Sequence, residues 1–246
     1  MSDDLFLPGV DVAAVRAAMA KAGGNELTSG KFASPESSAA LAVNTFGWFI
    51  GRPSKLPPLP GLHDLDWPAV SVEVERCLRF PWSGGRHPWL DAVVETRRAL
   101  IGVESKRFEP FRDAKQVSLS AAYDRPVWGE GMAPFEALRD ALRSGLRYVH
   151  LDAAQLLKHA FGIVTQARVQ NKAPILYYLF AEPSVRAGRA IQPTDIAMHR
   201  QEIADFGERV RGARVRFVAS SYTEYLGAFA GDTAIHAAAV LARYSP

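Results

Sequence analysis

Apolar and polar positions along this chain repeat with two different periods, and the points where the period changes divide it into elements. From Val10 to Lys21 the apolar residues Val12, Val15 and Met19 recur at helical spacing among alanines, and Gly23-Gly24 ends the run. A second helix is predicted from Ser34 to about Ile50. Ser34 is its N-cap, Pro35 its first residue, and Ala40, Leu41, Val43, Phe46 and Phe49 its buried stripe. Gly51 to Pro60 holds four prolines in ten residues and reads as a stiff arm crossing the surface.

At Val70 the period drops to two. Val70, Val72 and Val74 alternate with Ser71, Glu73 and Glu75, which predicts a strand running towards Phe80, and Trp82-Ser83-Gly84-Gly85 then turns the chain. Two further strands, Trp89 to Glu95 and Ala99 to Phe108, are separated by Thr96-Arg97-Arg98 and form an antiparallel hairpin, although Arg-Arg is not a favoured turn pair. After a polar loop, Asp113 to Gly131, Pro134 opens a helix that ends near Gly145. Asp152 caps a longer helix whose apolar face is Leu156, Leu157, Ala160, Phe161 and Val164. Pro174 to Phe180 is continuously apolar, as a strand buried on both faces should be. Thr194 or Asp195 caps a helix to about Val210, Val215 to Ala219 is a last strand, and Thr223 to Tyr244 is helical. The order predicts an α/β (α+β) fold, a mixed sheet with helices packed on it. Residues 1–60 form a helical arm and proline-rich connector, and residues 61–246 the main domain, within one compact unit.

Composition narrows the class. With 246 residues, 48% hydrophobic and 22% charged, the chain can bury a sizeable core and matches neither a disordered nor a fibrous protein. Cys77 stands alone, so an internal disulfide and a Cys-rich zinc site are excluded and a reducing cytoplasm is expected. The acidic start lacks a signal peptide's basic and apolar regions, and no apolar run reaches the ~18 residues of a membrane span. The net charge is +3, with arginine supplying 22 of the 29 cations. Guanidinium suits a phosphate-rich partner, but a coding bias produces the same excess, and no block is basic enough to establish nucleic-acid binding.

Candidate chemistry lies in Pro88 to Phe111, where Asp91, Glu104 and Lys106 occupy apolar strand sequence. Ionised groups are rarely buried without a partner. Residues two apart on a strand share a face, so Glu104 and Lys106 project together. If Arg97 and Arg98 form a two-residue loop, facing positions sum to 195 and Asp91 stands opposite Glu104, with Cβ atoms about 4.5–5.5 Å apart. Two carboxylates that close repel unless a cation lies between them, and a hard divalent ion such as Mg²⁺ suits the gap. Lys106 then holds an attacking hydroxide or neutralises charge growing on a phosphate. The set reads as a metal-assisted phosphodiester hydrolase.

Pro88, Asp91 and Glu104-Ser105-Lys106 together resemble the motif of the PD-(D/E)XK nuclease superfamily. The surrounding Asn44-Thr45-Phe46-Gly47, GVESKRFEPF, AAQLLKHAFG and LFAEP segments are similar to a bacterial restriction endonuclease-like family within it. The resemblance spans roughly residues 37–220 and implies an αβββαβ core and cleavage of DNA dependent on Mg²⁺ (or Mn²⁺). By position, Asp91 and Glu104 would be metal ligands, the Ser105 carbonyl a further ligand, and Lys106 the residue that positions the water. The proline stands three residues before Asp91 instead of next to it. Glu75 is a candidate accessory acid. Gln155 and Lys158 match positions that some relatives direct into the site from the helix after the motif.

Other features carry less. Glu109, just before Pro110 at the strand end, reads as a surface carboxylate with a neighbouring ligand as the alternative, and His87, His150, His159 and His199 read as structural or surface histidines. Gly129-Glu130-Gly131 lacks the context of a dinucleotide fingerprint. Arg125 and Trp128 are candidates for stacking on a nucleotide base, although a loop tryptophan is more often a packing anchor. The first reading is therefore a metal-dependent nuclease acting on DNA, of restriction type. A double-strand cut calls for two active sites and so for a homodimer. The alternative is a nuclease fold that has lost catalysis and serves as a nucleic-acid-binding or assembly module; carboxylates more than about 8 Å apart would favour it. A hydrolase of another substrate, or a purely structural protein, is the third.

Overall fold

The computed structural model describes residues 3–22, 29–112 and 118–246. The predicted loop residues 113–117, and the Gly23-Gly24 stop, lie outside the described residues. Five strands form one sheet in the order β1 (Ser71–Cys77), β2 (Trp89–Glu95), β3 (Ala99–Lys106), β4 (Ala173–Phe180) and β7 (Arg216–Ser221). The first three are antiparallel, and β3, β4 and β7 run parallel. A small hairpin of β5 (Val185–Arg186) and β6 (Arg189–Ala190) stands apart and was not foreseen.

Helices cover both faces, as a sheet with parallel central strands requires. On one face α1 (Val12–Lys21), α2 (Ser38–Phe46), α6 (Tyr222–Gly227) and α7 (Asp232–Tyr244) share a core with Val72, Val94, Ile101, Val103, Ile175 and Tyr177. On the other, α3 (Ala133–Arg143), α4 (Ala153–Gln170) and α5 (Pro193–Arg209) pack on Leu90, Val93, Leu100, Leu176 and Tyr178. The expected αβββαβ order is present as α2, β1, β2, β3, α4 and β4. No helix among the described residues is long and apolar enough to cross a membrane.

Several boundaries differ from expectation for identifiable reasons. The second helix starts at Ser38, not Pro35. Ser37 caps it by accepting from Ala40 N–H (3.0 Å), Ser34 turns back to Glu36 N–H (3.2 Å), and the Pro35 carbonyl accepts from the Arg107 guanidinium instead of opening a helical ladder. The proline segment is no surface arm, because Leu56 and Leu59 are buried in the same core as α1 and α2. The described residues among the first 60 thus supply part of one helical layer. Helix α5 begins at Pro193 with Gln192 as cap, so neither Thr194 nor Asp195 caps it. The predicted tail helix is broken between α6 and α7, where Gly231 has φ +56.

Candidate active site

The β2–β3 hairpin has the register that the turn arithmetic requires. Glu95 faces Leu100, Val94 faces Ile101 and Ala92 faces Val103. Thr96 explains how an unfavoured Arg97-Arg98 turn holds this register. Its N–H donates to the Ala99 carbonyl (3.0 Å), and its hydroxyl accepts from Ala99 N–H (2.9 Å) while donating to Asp66 Oδ1 (2.5 Å).

Beyond Ala92 the two strands are joined by a side chain. Asp91 Oδ2 accepts a 2.6 Å hydrogen bond from Ser105 N–H, which places its carboxylate beside Glu104 at the end of the hairpin. The β1–β2 ladder is interrupted at the same level: Val74 faces Ala92 and Arg76 faces Leu90, with Glu75 and Asp91 between. Glu75 has φ +50, a left-handed conformation that a non-glycine residue adopts at a cost. Alternation slips there. Val72 and Val74 join one core, while Leu78, of the same parity, joins the other, and Ala92 and Leu90 divide in the same way. Such outliers in the middle of strands gather at functional sites.

Glu104 and Lys106 share the face that meets α4. Lys106 Nζ is ion-paired with Glu104 Oε1, and Glu104 is only 2% exposed. Burial pushes the Glu104 carboxyl up, but Lys106 and His159 outweigh it and hold its pKa at about 2. Burial lowers the Lys106 pKa, yet Glu104, Asp91 and Glu109 together raise it above the usual lysine value. Asp91 is driven well above the usual carboxylate range, first by burial and then by the Glu104 charge, against the pull of Lys106. The centre therefore gathers more carboxylates than its single ammonium can compensate.

His159 is the residue that sequence reasoning missed. It projects from α4, is 3% exposed, and its Nε2 lies 2.8 Å from Glu104 Oε2. The helix comes this close because glycines face it and line it. A Cβ on Gly102 would lie 2.7 Å from Ile163 Cδ1, and one on Gly162 would lie 2.6 Å from Pro88 Cγ. Ile163 thus rests on Gly102, and His159, one helical turn earlier, meets Glu104, two residues further along the antiparallel-running strand. A sequence signal existed: His159 sits four residues after Gln155, on the same helix face.

The remaining candidates divide. Gln155 lines a cleft beside Lys106 together with Glu109, His150 and Tyr178. Glu109 is not an isolated surface carboxylate: it accepts from the Ser38 hydroxyl and from Arg107 N–H (2.9 Å), and Lys106 helps hold its pKa below the usual value, against burial. Lys158 is half-buried and does not line the cleft. Trp128 is a packing anchor and is not available to stack on a base. It is 1% exposed, its ring lies 4.0 Å from that of Phe161, and its indole N–H donates to the Tyr123 carbonyl (3.2 Å). Arg125 is exposed over the Trp82 ring at 4.6 Å. Three other histidines are structural, as expected: His87 accepts from Phe80 N–H, His150 bonds the Pro110 carbonyl, and His199 bonds the Tyr178 hydroxyl.

A hard divalent cation fits the donor set, since buried carboxylates in excess of cations are the groups such an ion compensates. Among the described residues no three His, Cys, Asp or Glu side chains form a metal cage, so any ion here would also need backbone and water oxygens.

No curated protein and no solved structure matches the chain. Residues 5–218 match the family model described as "Restriction Endonuclease associating with ARP", and the chain belongs to that restriction endonuclease family.

Proposed function

We propose that this protein is a metal-dependent nuclease that hydrolyses DNA phosphodiester bonds. The observation that carries this reading is the hairpin end at which Asp91, held by Ser105 N–H, stands beside the Glu104–Lys106 pair. Asp91, Glu104 and the Ser105 carbonyl would hold Mg²⁺ or Mn²⁺, with Glu75 as a further acid from the adjoining strand. The bound ion would polarise the phosphate and offset the charge that develops on it.

The chain's own groups do the rest. Lys106 Nζ, released from Glu104 Oε1, donates to the attacking water or to a non-bridging phosphate oxygen. The water oxygen bonds to phosphorus as the bond to the leaving sugar oxygen breaks; the proton the water loses passes to solvent, and the leaving oxygen takes one from solvent water. The cleft beside Lys106, with Gln155 and His150 on its wall, gives the scissile strand a place to lie. DNA as substrate is supported by the family; a reducing, cytoplasmic setting is supported by the single thiol at Cys77.

The test is incubation with supercoiled and linear DNA in Mg²⁺, Mn²⁺ or EDTA, for the wild type and Lys106→Ala. Cutting that needs the metal and is lost in the variant supports the proposal. No metal-dependent cutting, or cutting unchanged in Lys106→Ala, would sink it and favour a binding or assembly module on the same fold.

A further inference from the structure

We propose that His159 is the positioning residue for Glu104, keeping that carboxylate aimed at the ion position once Lys106 has let go of it. This rests on the metal-dependent reading above.

Both Glu104 oxygens are engaged: Oε1 by the Lys106 ammonium and Oε2 by the His159 contact at 2.8 Å. An ion that takes Oε1 displaces the Lys106 ammonium from it and frees that donor for a water or a phosphate. When that pair opens, His159 is the side chain left in contact with Glu104, and it stands on the oxygen opposite the one vacated. The carboxylate is then anchored through Oε2 and presents Oε1.

Packing alone does not account for a histidine here. The neighbouring buried positions of α4 are Leu156, Leu157, Ala160, Phe161 and Ile163. Both His159 ring nitrogens are buried, and the 2.8 Å approach of Nε2 to Oε2 falls short of a well-formed hydrogen bond among the described residues. A buried polar group in that condition is destabilising. A rotation of the ring that aligns Nε2–H with Oε2 recovers the bond, and departure of Lys106 leaves Oε2 as the oxygen tied to protein. Groups that hydrogen-bond a metal-ligating side chain fix its orientation, and their loss weakens metal binding by about 10–100-fold. The supports of α4, Gly102 under Ile163 and Gly162 against Pro88, set the height from which His159 reaches Glu104.

The experiment is calorimetric titration of Ca²⁺ into the full chain without DNA, for the wild type, His159→Ala, His159→Gln and His159→Asn, with the metal-free melting temperature of each. A Gln amide nitrogen reaches about as far as Nε2, and an Asn amide nitrogen only as far as Nδ1. His159→Ala is expected to bind Ca²⁺ about 10–100-fold more weakly, His159→Gln close to wild type, and His159→Asn as weakly as Ala. Should His159→Ala not fold, the contrast between Gln and Asn decides. Wild-type affinity in His159→Ala, or equal affinity in the Gln and Asn variants, overturns the positioning role and leaves the nuclease reading standing. A wild type that binds no Ca²⁺, Mg²⁺ or Mn²⁺ overturns both.

Discussion

Ile163 of α4 rests directly on Gly102 of β3, where a Cβ would lie 2.7 Å from its Cδ1 and 2.4 Å from Leu90 Cδ1. The contact sets how deep α4 lies over the strand that carries Glu104. Gly102→Ala should therefore destabilise the protein by about 1–3 kcal/mol through overpacking, and lift His159 away from Glu104. Urea unfolding measures the first effect. An unchanged midpoint would show that the helix is not seated on this glycine.

Burial and the Glu104 charge both disfavour the ionised form of Asp91, so a neutral residue there should relieve that cost in the metal-free fold while removing a ligand. Asn in its place can still accept from Ser105 N–H. Asp91→Asn is expected to gain on the order of 1 kcal/mol in EDTA, about 2–4 °C in Tm for a chain of this size, and to lose metal-dependent cleavage. A lower Tm in EDTA would contradict the electrostatic description of the pair.

The two carboxylates should also pull stability in opposite directions with pH. Glu104 is held at about 2 against an ordinary value of 4.5, so its contribution is fully present above 4.5 and is lost as pH falls through about 2. Asp91 is shifted upward, so its contribution is largest below its ordinary value of 3.8 and declines as pH rises through its raised pKa. Urea midpoints measured from acid to neutral pH should show a shallower acid loss in Glu104→Gln than in the wild type. An acid limb that Glu104→Gln leaves unchanged would rule out Glu104 as its source.

Thr96 holds the hairpin turn with a single hydroxyl that accepts from Ala99 N–H and donates to Asp66. Thr96→Ala is expected to cost about 1–3 kcal/mol and to lower cleavage as well, since the turn fixes the register that brings Asp91 beside Glu104. Stability or activity equal to wild type would show that the strands keep register without it.

That Asp91 meets Glu104 and Lys106 at the hairpin end was legible in the sequence because strand geometry is rigid: once the turn length is given, the facing residue follows. The register held although Arg97-Arg98 is a poor turn pair, since Thr96 does the work that turn propensity normally does. His159 was not legible, because a histidine on an apolar helix face looks like core until the helix is placed on its strand. That placement depends on Gly102 and Gly162, whose contacts are long-range. Trp128 was legible as a packing anchor, but its partner Phe161, distant in sequence, was not. Ser34 was the expected cap, and Arg107, by taking the Pro35 carbonyl, moves the helix start to Ser38 with Ser37 as its cap.

The most direct test of the central claim is anomalous diffraction from crystals of the wild type soaked in Mn²⁺. The account expects a manganese peak between Asp91 and Glu104, at the ~2.0–2.6 Å ion–oxygen distances of hard divalent cations, and its loss in Asp91→Asn. Manganese bound only elsewhere, or no ion between these carboxylates at saturating Mn²⁺, would contradict it.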